Sequence, residues 1–290
     1  MKKFFVFCCA VALLLGGVSL RAAGPAVIID TVRYDTSYDY PAHLYIIRPA
    51  GVQGKLPCIM YVKGSAWKKQ DMKAGLRYVS PMALKGYVIA CVEYRPCSEA
   101  LFPAQVEDCK TATRYMRAHA DEFGVDTDNF FAWGGSSGGH TVLLHALTQD
   151  SKLLDPLRLG EWSCEVNAVV DYYGPTELVY EFRIENGEQR SPDSNGGLLL
   201  GNPVAEKRDI ALKASPLYYV HPYQVPIFVL HGDKDPLVPV EQSQWFVDRC
   251  RECGAPCEYK EIPGARHGTA EFWTEEVLSE VDAFFRKYLK

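Results

Sequence analysis

The run Trp133-Gly134-Gly135-Ser136-Ser137-Gly138-Gly139-His140 restricts this chain more than any other stretch. The short run Asn129-Phe130-Phe131-Ala132 leads into it, and Thr141-Val142-Leu143-Leu144-His145-Ala146-Leu147, which reads as a helix, leaves it. A strand, a tight turn of small residues around a serine, and a helix are the setting of a nucleophile elbow. The serine must sit on a strained turn, and a side chain two positions to either side would collide with the neighbouring strand and helix, so glycine is needed there. The turn also sets the serine at a helix N-terminus, where backbone N–H groups favour negative charge. Two Gly-x-Ser-x-Gly registers overlap, one centred on Ser136 and one on Ser137. Ser136 is favoured, because the strand ends at Trp133-Gly134 and the helix begins with Gly138-Gly139-His140. A Gly/Ser-rich connector is the alternative, and the rest of the chain has to decide.

The flanking pattern predicts an α/β fold. Extended runs are expected over Pro25–Thr36 and Leu44–Arg48, then apolar strands at Pro57–Val62 and Tyr87–Val92, with a helix over Tyr78–Lys85 between them. From Ala104 to His119, Cys109, Ala112 and Met116 recur at helical spacing. Asp126-Thr127-Asp128 is read as the turn into the elbow strand. Further strands are expected at Val166–Tyr172, Pro226–Leu230 and Cys257–Ile262. Helices are expected at Glu241–Arg251 and from Thr274, the last with the stripe Val277, Val281, Phe284, Phe285 and Tyr288. Strands alternating with helices imply a mostly parallel central sheet covered on both faces. Residues 176–200 break this rhythm and are read as a surface excursion or as a cap over the site, since loops beyond the carboxyl ends of strands carry specificity.

Lys2 and Lys3, the apolar run Phe4–Leu15 and the small residues ending at Ala22-Ala23 have the layout of a secretory signal. Residues 1–23 are therefore expected to be removed on export to a secreted or periplasmic location. A single domain is expected over 24–290, with no stable membrane span after removal, because the apolar run is short for one. A net charge of −5 and the absence of a basic run argue against a nucleic-acid partner. Eight cysteines follow the signal. Cys58, Cys91 and Cys109 fall on apolar faces and read as buried small residues. Cys250-x-x-Cys253-x-x-x-Cys257 resembles metal-ligand spacing, but it has no fourth ligand nearby, so no metal is expected. A disulfide within this group is favoured over zinc.

A serine nucleophile needs a base, and the base an orienting acid. Two late strands end in suitable turns: Ile227–Leu230 runs into His231-Gly232-Asp233-Lys234-Asp235, and Tyr259–Ile262 into Pro263-Gly264-Ala265-Arg266-His267-Gly268. His267 is the expected base and Asp235 its acid, with Asp233 competing. His231 and His140 are assigned to packing or capping around the site. Oxyanion donors are expected from the Ser137 N–H and from Gly64 or Ser65 in the loop Lys63-Gly64-Ser65-Ala66-Trp67 after the strand ending at Val62.

With these residues in place the chain resembles the α/β-hydrolase esterases of the acetyl-esterase, feruloyl-esterase and hormone-sensitive-lipase-like kind. The matching segments are Tyr94-Arg95-Pro96, Phe102–Asp108, Gly134–His140, His231–Asp235 and Gly264–Gly268, which together span most of the chain after residue 23. The resemblance implies an α/β-hydrolase fold, a Ser136–His267–Asp235 triad and a serine carboxylic-ester hydrolase that needs no cofactor. Two departures stand out. The family's His-Gly-Gly-x-Trp is here Lys63-Gly64-Ser65-Ala66-Trp67, which puts a cation beside the site. Lys63 is expected to pair with a carboxylate of the protein or to bind an acidic group of the substrate, and Trp67 to shape the substrate site. Ser137 stands where many relatives carry alanine, a change expected to leave its N–H intact.

Export and the resemblance together suggest removal of acetyl or feruloyl-type acyl groups from polysaccharides or oligosaccharides, with an ester or acylated carbohydrate as substrate. A general carboxylesterase or lipase on small apolar esters is the alternative. A non-catalytic binding protein that kept the fold is the other, with Lys63 the one feature in its favour.

Overall fold

In the computed structural model, which describes residues 26–179, 194–201 and 204–290, eight strands form one sheet. The expected signal at 1–23 and residues 180–193 of the excursion lie outside the described residues. In chain order the elements are β1 (Val27–Arg33), β2 (His43–Pro49), β3 (Leu56–Val62), α1 (Met72–Leu84), β4 (Val88–Val92), α2 (Ala104–Ala118), α3 (Ala120–Phe123), β5 (Val125–Gly135), α4 (Ser137–Leu147), β6 (Ala168–Tyr172), α5 (Asn195–Leu200), α6 (Arg208–Lys213), β7 (Ile227–Gly232), α7 (Glu241–Cys253), β8 (Cys257–Ile262) and α8 (Glu275–Arg286). The sheet order is β1-β2-β4-β3-β5-β6-β7-β8. The β1/β2 and β2/β4 pairs are antiparallel and all the others parallel, so β2 alone runs against the rest. This is the α/β-hydrolase arrangement.

Alternation along the central strands divides the core in two. Cys58, Met60 and Val62 of β3 and Phe130 and Ala132 of β5 face a layer made by Met116 of α2, Val142 and Leu143 of α4 and Phe246 of α7. Ile59, Tyr61, Phe131 and Trp133 face the opposite layer, with Val79 and Met82 of α1 and Val281, Phe284 and Phe285 of α8. Both faces of these strands are therefore apolar, as a sheet covered on both sides requires. Each such side chain contributes about 1.5–3 kcal/mol by leaving water. A third cluster, Trp67, Leu178, Leu199, Leu200, Ala211, Ala214 and Val238, packs the described ends of the excursion against the carboxyl edge of the sheet.

Three expectations need correction. The first helix begins at Met72 rather than Tyr78. Asp71 caps it by accepting from the Ala74 N–H at 3.2 Å, which stabilises a first turn that carries little apolar surface. Asp126–Asp128 does not form a turn outside the elbow strand but belongs to β5, where the pairing with β3 shifts register between Leu56 and Cys58. The disulfide favoured within Cys250, Cys253 and Cys257 is not formed: the eight described cysteines carry free thiols. Cys250 Sγ accepts from Gln224 Nε2 at 3.7 Å, and Cys257 Sγ donates to the Glu258 carbonyl at 3.7 Å. No described helix is long and apolar enough to cross a membrane.

Candidate active site

The carboxyl ends of β3, β5, β6 and β7 and the loop after β8 meet at a cleft of about 1210 Å³. Ser136 stands between β5 and α4 at φ 57° and ψ −127°, a left-handed position that costs a non-glycine residue on the order of 1–3 kcal/mol. The surroundings hold it there. A Cβ on Gly134 would lie 2.3 Å from the Gly138 carbonyl oxygen, and one on Gly138 would lie 1.9 Å from that of Val62. Strand, turn and helix thus pack backbone to backbone, and the serine is pushed out into the cleft.

His267 arrives on the loop after β8. Its Nε2 lies 2.8 Å from Ser136 Oγ and its Nδ1 lies 2.7 Å from Asp235 Oδ2. A carboxylate only accepts, so Nδ1 carries the proton and Nε2 is open to the serine hydroxyl. Asp235 is held firmly. Its Oδ1 accepts from the Leu237 and Val238 N–H groups at 2.8 and 3.0 Å, and His231 Nε2 approaches its Oδ2 at 3.3 Å. Burial pushes the Asp235 carboxyl up, but hydrogen bonds from His231 and His267, the His267 charge and the Val238 N–H outweigh it and hold the group well below the usual carboxylate range. Asp233, the competing acid, is engaged elsewhere, accepting from the Gly264 N–H at 2.6 Å and pairing with Lys234 at 3.3 Å.

Ser137 points the other way. Its Oγ accepts the Ser65 N–H at 2.9 Å and lies 3.2 Å from the Tyr94 hydroxyl, which is 2.8 Å from Ser65 Oγ. Ser65 Oγ donates to the Lys68 carbonyl at 2.6 Å. Because that carbonyl can only accept, the hydroxyls run in one direction: Ser137 donates to Tyr94, Tyr94 to Ser65 and Ser65 to Lys68. The Ser65 N–H, expected to face an oxyanion, is therefore taken by Ser137, which supplies an acceptor that alanine would lack. The remaining donors are Gly64 and Ser137, whose N–H groups have no acceptor among the described residues. Gly64 is pressed against the nucleophile, since a Cβ on it would lie 2.8 Å from Ser136 Cβ.

Lys63 and Trp67 both line the cleft. Lys63 Nζ donates to the Gly64 carbonyl at 3.0 Å, and no described carboxylate lies within ion-pair distance of it, contrary to the expected pairing. Its stem fills the space beside Gly75, where a Cβ would lie 2.7 Å from Lys63 Cδ. Trp67 is almost wholly buried. Its Nε1 donates to His140 Nδ1 at 3.2 Å, the two rings meeting edge to face at 5.0 Å. His140 Nε2 donates to the Ala214 carbonyl at 2.6 Å. Burial lowers the pKa of His140 to about 4 despite that hydrogen bond, so the imidazole is neutral at pH 7 and orients the indole.

Two residues were missed in the sequence. Tyr173, just after β6 at φ 44°, sets its ring 4.7 Å from that of His267 and forms part of the cleft wall. Its place at the end of a central strand was the available signal. Asp171 lies beneath the elbow with Oδ1 accepting the Gly174 N–H at 3.1 Å and Oδ2 without a partner. Burial pushes its carboxyl up to about 8. Among the described residues no three His, Cys, Asp or Glu side chains converge to hold a metal ion.

A nucleophile turned out of an elbow, a base within reach, a buried acid and two free N–H donors are the parts needed for acyl transfer. Comparison with known proteins points the same way. Residues 44–249 match the BD-FAE family. The chain is 30% identical over 274 residues to a probable carboxylic ester hydrolase, LipM, of Mycobacterium tuberculosis, covering 87% of this chain and 61% of that one. It spans about half to three fifths of the length of the mycobacterial relatives it matches. Among solved structures it is similar to a bifunctional GH43-CE protein of Bacteroides eggerthii, with 27% identity, a TM-score of 0.82 and coverage of 91% of this chain and 38% of that chain. It is also similar to a truncated carbohydrate esterase from gut microbiota, with 25% identity, a TM-score of 0.80 and coverage of 91% and 96%. The match over 44–249, on a fold and a cleft of this form, makes the chain a member of the BD-FAE family of hormone-sensitive-lipase-like α/β-hydrolases.

Proposed function

We propose that this protein is an exported serine esterase that removes acetyl or feruloyl-type acyl groups from carbohydrates. The observation that carries the reading is the unbroken relay of 2.8 and 2.7 Å from Ser136 through His267 to Asp235, opening on the cleft. In the first half-reaction His267 Nε2 takes the Ser136 proton as Oγ bonds to the acyl carbon. The carbonyl oxygen becomes an oxyanion facing the Gly64 and Ser137 N–H groups. His267 then gives its proton to the departing alcohol, leaving Ser136 acylated. Water repeats the sequence and releases the acid. Asp235 keeps Nδ1 protonated and stabilises the imidazolium in both halves. Lys63 and Trp67 serve as walls of the substrate cleft.

The carbohydrate part of the reading is supported by the two carbohydrate-esterase structures the chain resembles. Export rests on the signal-like layout of residues 1–23. A second reading, a carboxylesterase for small apolar esters, is favoured by the wall of Leu178, Leu237 and Val238. Treating the protein with a fluorophosphonate and mapping the labelled peptide by mass spectrometry tests the chemistry: label on Ser136, absent in Ser136→Ala, is expected. No label on folded protein would overturn the hydrolase reading. Acid release from acetylated and feruloylated oligosaccharides, set against butyrate and longer aryl esters, separates the two substrate readings.

A further inference from the structure

The segment that runs from the cleft into α1 is basic in a protein that is otherwise acidic, and its first cation, Lys63, lines the cleft. Residues 63–77 carry five cations, Lys63, Lys68, Lys69, Lys73 and Arg77, against the single acid Asp71, while the whole chain has a net charge of −5. Asp71 is occupied in capping α1. None of the five cations has a carboxylate within ion-pair distance among the described residues. Lys63 Nζ spends one of its three donors on the Gly64 carbonyl and makes no other hydrogen bond or ion pair among the described residues. Arg77 donates to the hydroxyl of Tyr78, a cleft residue, at 2.6 Å. The acids Asp233, Asp235 and Glu241 also line the cleft.

The position of this segment identifies which half of the ester meets it. His267 protonates the departing alcohol, so the alcohol lies on the side of the His267 loop. Trp273, a few residues beyond His267, lies against Tyr78 with ring centroids 4.9 Å apart and also faces Tyr61 at 6.4 Å. Lys63 lines the same cleft as Tyr61, Tyr78 and Trp273, and its stem lies against Gly75 of α1. We infer that the alcohol part of the substrate is an acidic sugar chain: an acylated oligosaccharide containing uronic-acid units, with one carboxylate on Lys63 and the chain running along the basic edge toward Arg77. This rests on the ester-hydrolase reading above. Charge complementarity of this kind raises encounter rate and fixes register, and added salt weakens it.

A matched pair of probes tests the inference: an O-acetylated oligogalacturonate, and the same oligomer with its carboxyls converted to primary amides. Acetate release from each is measured on the full chain, with an aryl acetate in parallel. The expected kcat/KM for the acidic oligomer exceeds that for the amide by about tenfold at low ionic strength. The ratio should fall toward unity near about 1 M salt, where the screening length is about 3 Å. Lys63→Met should collapse the low-salt ratio, Lys63→Arg should restore most of it, and Arg77→Gln should lower it about two- to threefold. Because the readout is a ratio, a general loss of activity in a variant does not imitate the result. Equal rates on the two oligomers at low salt, or a preference for the amide, would overturn the acidic-substrate inference and leave the esterase standing. Turnover of the aryl acetate with neither oligomer accepted would overturn it too. Failure on all three substrates would instead sink the esterase reading.

Discussion

Ser136 and Ser137 are neighbours of the same type with opposite surroundings. Ser136 is strained and faces the cleft, and among the described residues its hydroxyl bonds only to the base His267. Ser137 is buried in the first turn of α4 and joins a closed set of hydroxyls that ends on the Lys68 carbonyl. One serine costs stability and is available for chemistry; the other is satisfied and braces the loop that carries the Gly64 donor. The difference comes from backbone placement, since one step along the chain moves a side chain from the strained turn into a helix. The carboxylates repeat the contrast. Asp235 is surrounded by donors and held ionised, whereas Asp171 has a single N–H partner, is wholly buried and is pushed toward neutrality.

The largest expected effect separates the serines outright. Ser136→Ala should lower kcat by about a millionfold, the scale of losing the nucleophile of a triad. Its melting temperature should be unchanged, while Ser136→Gly should be more stable by about 1 kcal/mol as the left-handed strain is relieved. Comparable activity in Ser136→Ala would move the nucleophile to another residue. Next is Asp235→Asn, for which a drop of about ten-thousandfold in kcat is expected, because an amide no longer selects the productive His267 tautomer.

The third effect is one of stability and depends on pH. A carboxyl whose folded pKa is raised binds its proton more tightly in the native state. The stability linked to Asp171 is thus greatest below the unfolded value, about 3.9, and is lost as pH rises to about 8. Asp171→Asn should therefore match the wild type near pH 4 and exceed it by on the order of a few kcal/mol near pH 8. Denaturant unfolding at several pH values checks this, and a difference independent of pH would refute it. Smallest is Ser137→Ala, the mirror image of the first case. Loss of the Ser65 and Tyr94 contacts should cost about 1 kcal/mol of stability. Turnover should stay within about threefold, since the Ser137 N–H remains and the Ser65 N–H is freed. A large loss of kcat at unchanged stability would place the Ser137 hydroxyl in the chemistry instead.

Much of this was legible in the residues because the controlling forces are local. Alternation in Cys58–Val62 and Phe130–Trp133 reports two buried faces directly, since neighbouring side chains of a strand point to opposite sides. The glycines flanking Ser136 announce backbone contact. The first turn of α1 was missed because its polar residues hide the period and Asp71 is a weaker mark than an apolar stripe. Tyr173 was missed because its partner, His267, is 94 positions away.

Residue order alone therefore carried the strand–turn–helix setting of Ser136, the parallel sheet and the candidates Asp235 and His267, all expressed through contacts between near neighbours or strand ends. Folding alone could show that Asp235 rather than Asp233 faces His267, and that Ser137 takes the Ser65 N–H. It also showed that Lys63 has no described carboxylate partner. Each of these depends on distances between residues far apart in the chain, and a hydrogen bond or an ion pair is decided within a few tenths of an ångström.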